Sequence, residues 1–301
     1  MPGEILTSAA FDYAVPDTIE AALVLLASGS AVALAGGQSL VPSLADRSLA
    51  PRLVVDLGRV AGLRQIEKTP SGLVFGAMVR LSEVGAAALA AGLPLLAEAV
   101  ASVGSPAIRN RGTLVGNLVR ASPNSELPVA AVALEARLLL RRTGGEREVP
   151  AEAFFLGPAQ TAVADGELVA SVMFPTRPAG ASGSAFIEIG VRTGAPPLVC
   201  VAACLEADQA GLLTRVRLVA GGITGVPARC TGAEAALLGQ PAADALSRLA
   251  GSREALAASP LLPDATYALD VLPVLLRRAI AAALSRLAAA LPFDPSHEDR
   301  R

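Results

Sequence analysis

The sequence predicts an α+β chain: two α/β units, then a smaller unit in which strands precede helices. Three observations predict it. Short apolar runs of strand character alternate with helix-period stretches as far as about residue 175. The segment TRPAGASGSA at 176–185, rich in Gly, Ser, Pro and Ala, then marks a boundary or flexible crossing. Beyond it apolar strand candidates come first and helical periodicity runs to about residue 290. At 301 residues the chain is long enough for two or three such units.

Asp17, with Glu20 three residues on, sets up a capping box ahead of AALVLLA, so a first helix is expected over 18–28. The strand AVALA at 31–35 runs directly into Gly36-Gly37-Gln38-Ser39, and LVVDL at 53–57 reads as a second buried strand. These elements make a first unit over 1–57. The second unit, 58–176, carries the strand candidates GLVFGAM, ARLLLRR and LVASVMF, with helices after Ser82 and from Leu93 to about Val103. The third unit, 184–290, opens with strands around 198–206 and 213–220. Thr231 and Glu234 suggest another capping box, with helices expected at about 232–238, 244–258 and 268–290 and a polar tail at 291–301.

Composition excludes several kinds of function. The formal net charge is −2 and the basic residues are scattered, so no cationic face is expected to hold nucleic acid. No uninterrupted apolar run approaches the ~20 residues of a bilayer-spanning helix, and no membrane span is expected. The N-terminus MPGEILTSAAFDYAVP has an early Glu4 and no basic segment before an apolar block, which predicts a cytoplasmic protein without a secretory signal. Cys200, Cys204 and Cys230 are an odd number, and VCVAACLEA reads as a buried strand rather than as a pair of metal ligands. The one histidine, His297, lies in the polar tail, so a zinc site of the HExxH type or a Ser-His-Asp triad inside the folded body is excluded. The composition points to a cofactor as the carrier of any chemistry.

Two segments can hold one. Neither AGGQSL nor AGGITG has the spacing of a GxGxxG dinucleotide fingerprint. Gly36 and Gly37 nevertheless follow a strand, where a side-chain-free turn is either a plain tight turn or a place where main-chain N–H groups meet an anion, with the Ser39 hydroxyl beside them. The second segment, GSPAIRNRGTLVGNLVRASPNSELP at 104–128, reads as a polar loop far longer than a minimal connection. Within it Thr113 and Asn117 offer hydrogen-bonding side chains, and Gly112 and Gly116 permit close approach of the backbone. Glu126 either accepts hydrogen bonds from sugar hydroxyls or offsets a helix dipole.

AGGQSLVPSLADRSLAPRLVVDLGRV and IRNRGTLVGNLVRASPNSELPVAAVALEA together resemble the FAD-binding medium subunit of carbon monoxide dehydrogenase and related molybdenum hydroxylases, homologous to the flavin domain of xanthine dehydrogenase. The resemblance runs nearly the whole chain. It implies a two-subdomain FAD-binding domain of the vanillyl-alcohol-oxidase type followed by a smaller α+β domain. By position it implies FAD contacts, without a covalent link, from Leu34, Ala35, Gly36, Gly37, Gln38, Ser39 and Leu40. Further contacts are implied from Thr113, Leu114, Val115, Gly116 and Asn117, from Glu126, and from the apolar Val103 and Val169. It also implies a large partner subunit with molybdopterin and a small one with [2Fe–2S] clusters, assembled as a dimer of heterotrimers. Electrons would pass from those clusters through FAD to an external acceptor, with no catalytic side chain in this chain.

Two departures stand out. Val115 occupies a place where relatives carry glycine, which implies a more distant loop or weaker retention of FAD. Where some relatives have a lysine near the isoalloxazine, AFIEIGVRTG offers Ile187. Arg109 and Arg111 either face the iron–sulfur partner or order their own loop. The competing readings are a free-standing flavoprotein dehydrogenase or oxidase of the same fold, and a scaffold protein that has lost its flavin.

Overall fold

The computed structural model describes residues 11–176, 181–249 and 260–290. The first unit is β1 (Asp12–Ala14), α1 (Ile19–Leu26), β2 (Ala31–Leu34), α2 (Leu40–Ala45) and β3 (Leu53–Asp56). Its three strands form a parallel sheet in the order β1-β3-β2. The cap of α1 is Thr18, whose Oγ1 accepts from the Ala21 N–H at 3.2 Å, and not Asp17 as expected. A β-branched hydroxyl one residue closer to the helix has the reach that the Asp17 carboxylate lacks.

The second unit runs β4 (Ile66–Lys68), β5 (Gly72–Gly76), α3 (Leu81–Ala90), α4 (Pro94–Ser102), α5 (Pro106–Arg109), α6 (Leu114–Arg120) and α7 (Glu126–Ala133). It continues through β6 (Arg137–Arg142), β7 (Gly145–Pro150), α8 (Ala151–Phe154), β8 (Phe155–Gly157), β9 (Gln160–Thr161) and β10 (Leu168–Pro175). Five of these strands make an antiparallel sheet, β4-β5-β10-β6-β7. The segment read as a polar loop therefore contains two short helices, α5 and α6, because Ser105 and Thr113 each cap a turn by accepting a main-chain N–H.

The third unit is β11 (Ala181–Gly190), β12 (Pro197–Ala207), β13 (Leu213–Gly221), β14 (Ala228–Arg229), α9 (Thr231–Leu237), α10 (Ala245–Arg248) and α11 (Thr266–Ala290). Its strands pair antiparallel in chain order. Strand β11 already starts at Ala181, so the Gly/Ser-rich stretch is not a loop over 181–185; residues 177–180 lie outside the described residues, as does most of the helix expected at 244–258. The cap of α9 is Cys230 rather than Thr231, and no side chain caps it. Glu234 is drawn away instead: its carboxylate accepts from the Leu218 N–H at 2.9 Å and from Arg229.

The unbroken apolar run of β12 is explained by burial on both faces. Cys200, Ala202 and Cys204 pack into the large core shared with the first two units, while Val199, Val201, Ala203 and Leu205 pack into a second core beneath α11. Every residue of α7 is buried, as a helix apolar all round after Glu126 requires, and it lies between the rest of the second unit and strands β12 and β13. Across the same seam Arg217, 7% exposed, donates to the Val132 carbonyl at 3.0 Å and pairs with Glu135 and Glu152 at 3.2 and 2.6 Å. Among the described residues no helix is long and apolar enough to cross a membrane.

Candidate functional site

The AVAL run of β2 ends at Leu34, and two glycines turn the chain into α2 for different reasons. Gly37 sits at φ +72°, a left-handed conformation that glycine adopts without penalty. Gly36 is needed for closeness: an ideal Cβ there would fall 2.2 Å from the Arg111 carbonyl oxygen. The first turn thus lies main chain against main chain on the second segment.

That second segment is held along its length. Arg109 Nη1 donates to the carbonyls of Val103 and Gly104 at 2.9 and 2.8 Å, so this arginine orders its own loop. Leu81 N–H donates to Gly112 O at 2.9 Å, and Leu114 N–H to Val79 O at 3.2 Å, which tie the segment to the end of β5 and the start of α3. Thr113 Oγ1 accepts from the Gly116 N–H at 3.1 Å, fixing the first turn of α6. Ser125 Oγ donates to Asn117 Oδ1 at 2.9 Å and so orients that amide. From the third unit, the hairpin between β11 and β12 reaches back onto this region, where a Cβ on Gly194 would meet Gly104 O at 2.9 Å.

Two adjoining cavities result. One of about 650 Å³ is lined by Gly36, Gly37, Gln38, Ser39, Leu40, Val103, Thr113, Gly116 and Asn117, together with Ile108 and Arg120. The other, about 630 Å³, has apolar walls from Leu57, Ala77, Val115, Val163 and Val169. They share Ala33, Ala35, Gly116 and Val119. Val115 is therefore an apolar wall of the second cavity and not a side chain in the glycine-built one. Leu34 and Leu114 line neither: Leu34 lies under the Gly37 turn, with Cδ1 3.5 Å from a Cβ built there, and Leu114 is fully buried.

Glu126 also lines neither cavity. It begins α7, 4% exposed, next to the Ser125 that holds Asn117. Burial, with the nearby Glu188 carboxylate adding to it and its own main-chain N–H opposing, pushes its pKa from 4.5 up to about 7. Burial likewise raises Glu188, whose Oε2 has no hydrogen-bond partner among the described residues. The register of β11 explains the meeting. Glu188 lies opposite Cys200 and shares its face toward α7, whereas Ile187 lies opposite Val201 and packs toward α11. The residue that the third unit turns toward α7 at this seam is Glu188, while Ile187 faces the second core.

Sequence reasoning also missed Arg120 and Ile108 in the cavity wall. A helical reading of 114–120 was the signal available for Arg120, because Gly116 and Arg120 are four apart and share a helix face.

The family described as the FAD binding domain in molybdopterin dehydrogenase matches residues 9–177, and the one described as the CO dehydrogenase flavoprotein C-terminal domain matches 184–283. The nicotine 6-hydroxylase medium subunit of Paenarthrobacter nicotinovorans is 34% identical, over 92% of this chain and 98% of that one. The carbon monoxide dehydrogenase medium chain of Hydrogenophaga pseudoflava is 30% identical over the same shares, 92% and 98%. The solved structure of reconstituted CO dehydrogenase from Oligotropha carboxidovorans superposes with a TM-score of 0.86 at 28% identity, covering 93% of this chain and 99% of that chain.

The residues present fit FAD. A glycine-built cradle, whose two segments a single Cβ at residue 36 would force apart, adjoins an apolar slot, and each lies within the ~300–1,000 Å³ usual for cofactor sites. Cys200, Cys204 and Cys230 are buried and line neither cavity. With the cradle, the two domains and the relatives in agreement, the chain belongs to the family of FAD-binding medium subunits of molybdenum hydroxylases.

Proposed function

We propose that the two cavities together hold FAD without a covalent bond, and that the chain works as the electron-transfer subunit of a heterotrimeric molybdenum hydroxylase. It stands between the [2Fe–2S] clusters of a small subunit and an external electron acceptor, beside a large subunit with molybdopterin, in a dimer of such heterotrimers. The observation that carries this reading is the convergence of residues 36–39 with Gly112, Thr113, Gly116 and Asn117, distant in sequence, on one cavity.

The side chains and main chain then have separate tasks. The Gly36–Gly37 turn and the Ser39, Thr113 and Asn117 side chains give a diphosphate polar partners at close range. Val115, Val163 and Val169 offer an apolar slot for a flat ring, and Val103 and Ile108 exclude water from the other end. When bound, FAD supplies the redox chemistry; the protein supplies position and electrostatics. The units 1–57, 58–176 and 184–290 divide this work, the first two each contributing one glycine segment and the third closing the seam.

The purified chain should be yellow, or become so on adding FAD, and should oxidise no substrate until large and small subunits are added. A chain that oxidises a substrate alone is a free-standing flavoenzyme. A colourless chain that refuses FAD is the scaffold.

A further inference from the structure

Among the described residues that line the glycine-built cavity, Arg120 carries the only charged side chain. It is the last residue of α6, one turn beyond Gly116, and is exposed. Its guanidinium makes no ion pair or hydrogen bond with the described residues. The other polar groups of the wall, Ser39, Thr113 and Asn117 with the Gly36–Gln38 main chain, are neutral. A diphosphate diester held by those groups alone would keep its negative charge uncompensated as water is displaced, and desolvating an unpaired charge is costly.

We propose that Arg120 is the counter-charge of the FAD diphosphate, a positioning and affinity residue contributed by α6. The inference rests on the reading that FAD occupies this cavity. Guanidinium suits the task because its planar donors match phosphate oxygens in pairs and it never loses its charge near neutral pH. Its exposed position has a consequence: the pair forms at the cavity's edge, where salt reaches it and screens it.

The test is equilibrium titration of the full-length chain, stripped of flavin, with FAD and with ADP, for wild type, Arg120→Gln and Arg120→Lys, at low and high KCl. Arg120→Gln should raise the Kd of both ligands by about tenfold at low salt, an effect of the size of one charge-assisted hydrogen bond. It should also remove most of the salt dependence that wild type shows. Arg120→Lys should recover part of the affinity. Unchanged Kd values in Arg120→Gln, or a salt dependence as steep as in wild type, overturn the inference while leaving the FAD reading in place. Failure of the wild-type chain to bind FAD at all overturns that reading instead, and Arg120 with it.

Discussion

The carbonyl oxygen of Arg111 occupies the space that a side chain at residue 36 would need, 2.2 Å from an ideal Cβ on Gly36. The obstacle is main chain rather than the end of a flexible side chain, so Gly36→Ala must push the two segments apart. A loss of about 1–3 kcal/mol in stability is expected, as for other overpacked contacts, together with loss of FAD. Denaturant unfolding and the flavin absorbance of the purified variant check both. A variant of wild-type stability with full flavin would mean that the segments do not touch.

Gly37 should respond differently. At φ +72°, with Val41 Cγ2 3.2 Å from a built Cβ, Gly37→Ala should cost about 1 kcal/mol through backbone strain. Gly37→Val crowds Val41 and Leu34 beneath the turn, which displaces the turn that walls the cavity, and should strip the flavin while the fold survives. Circular dichroism beside flavin content separates the two effects, and full occupancy in the valine variant would count against this placement of the cofactor.

Arg217 joins the third unit to the second through Val132 O, Glu135 and Glu152. Arg217→Ala removes a buried guanidinium and its packing, while Glu135 and Glu152 keep Arg215 and Arg229 as partners, and should cost about 1–3 kcal/mol, whereas Arg217→Met, which keeps the packing volume, should cost less. Urea titrations rank the two. Equal losses would show that the packing volume contributes little beyond the lost charge and hydrogen bonds.

Stability should fall as pH rises from about 4.5 to about 7 because of Glu126. Its carboxyl loses its proton near 4.5 when unfolded but holds it to about 7 in the native seam. Over that window the native state binds more protons, so each rise in pH favours unfolding. Glu126→Gln, a permanent mimic of the protonated form, should flatten that slope. An unaltered pH profile of the unfolding midpoint in the variant would show that this carboxyl titrates normally.

Val115→Gly introduces the residue that the family resemblance implies at this place, yet it should weaken the protein. It removes a side chain that is almost wholly buried in α6 and places glycine within a helix, for a combined loss of about 1–3 kcal/mol. FAD affinity should not improve, since this side chain walls the apolar cavity and not the glycine-built one. Tighter FAD binding by the variant would restore the view that Val115 holds its loop away.

The strands at Ala31–Leu34, Leu53–Asp56, Pro197–Ala207 and Leu213–Gly221 were legible because apolar runs bounded by turn residues report burial directly. The glycine segments were legible for a similar reason, since main chain packed on main chain excludes every other residue type. Choices between neighbours were harder to read. Thr18 and Asp17 are both good caps, and only three-dimensional reach decides between them. Ile187 and Glu188 differ by one step of strand parity, and the parity is set by pairing with β12, whose own two faces are both apolar. The helices inside 104–128 were hidden because Gly112, Gly116 and the prolines mimic loop composition, while the caps that make them helices are single hydroxyls.

The hairpin tip at Gly194 meets Gly104 through peptide groups, with no side chain of its own at the contact. Such a junction is indifferent to most point changes nearby but intolerant of a change in hairpin length. Chimaeras that graft this carboxy-terminal module onto another relative's flavin half should therefore succeed or fail by residue count between β11 and β12, whatever the local sequence.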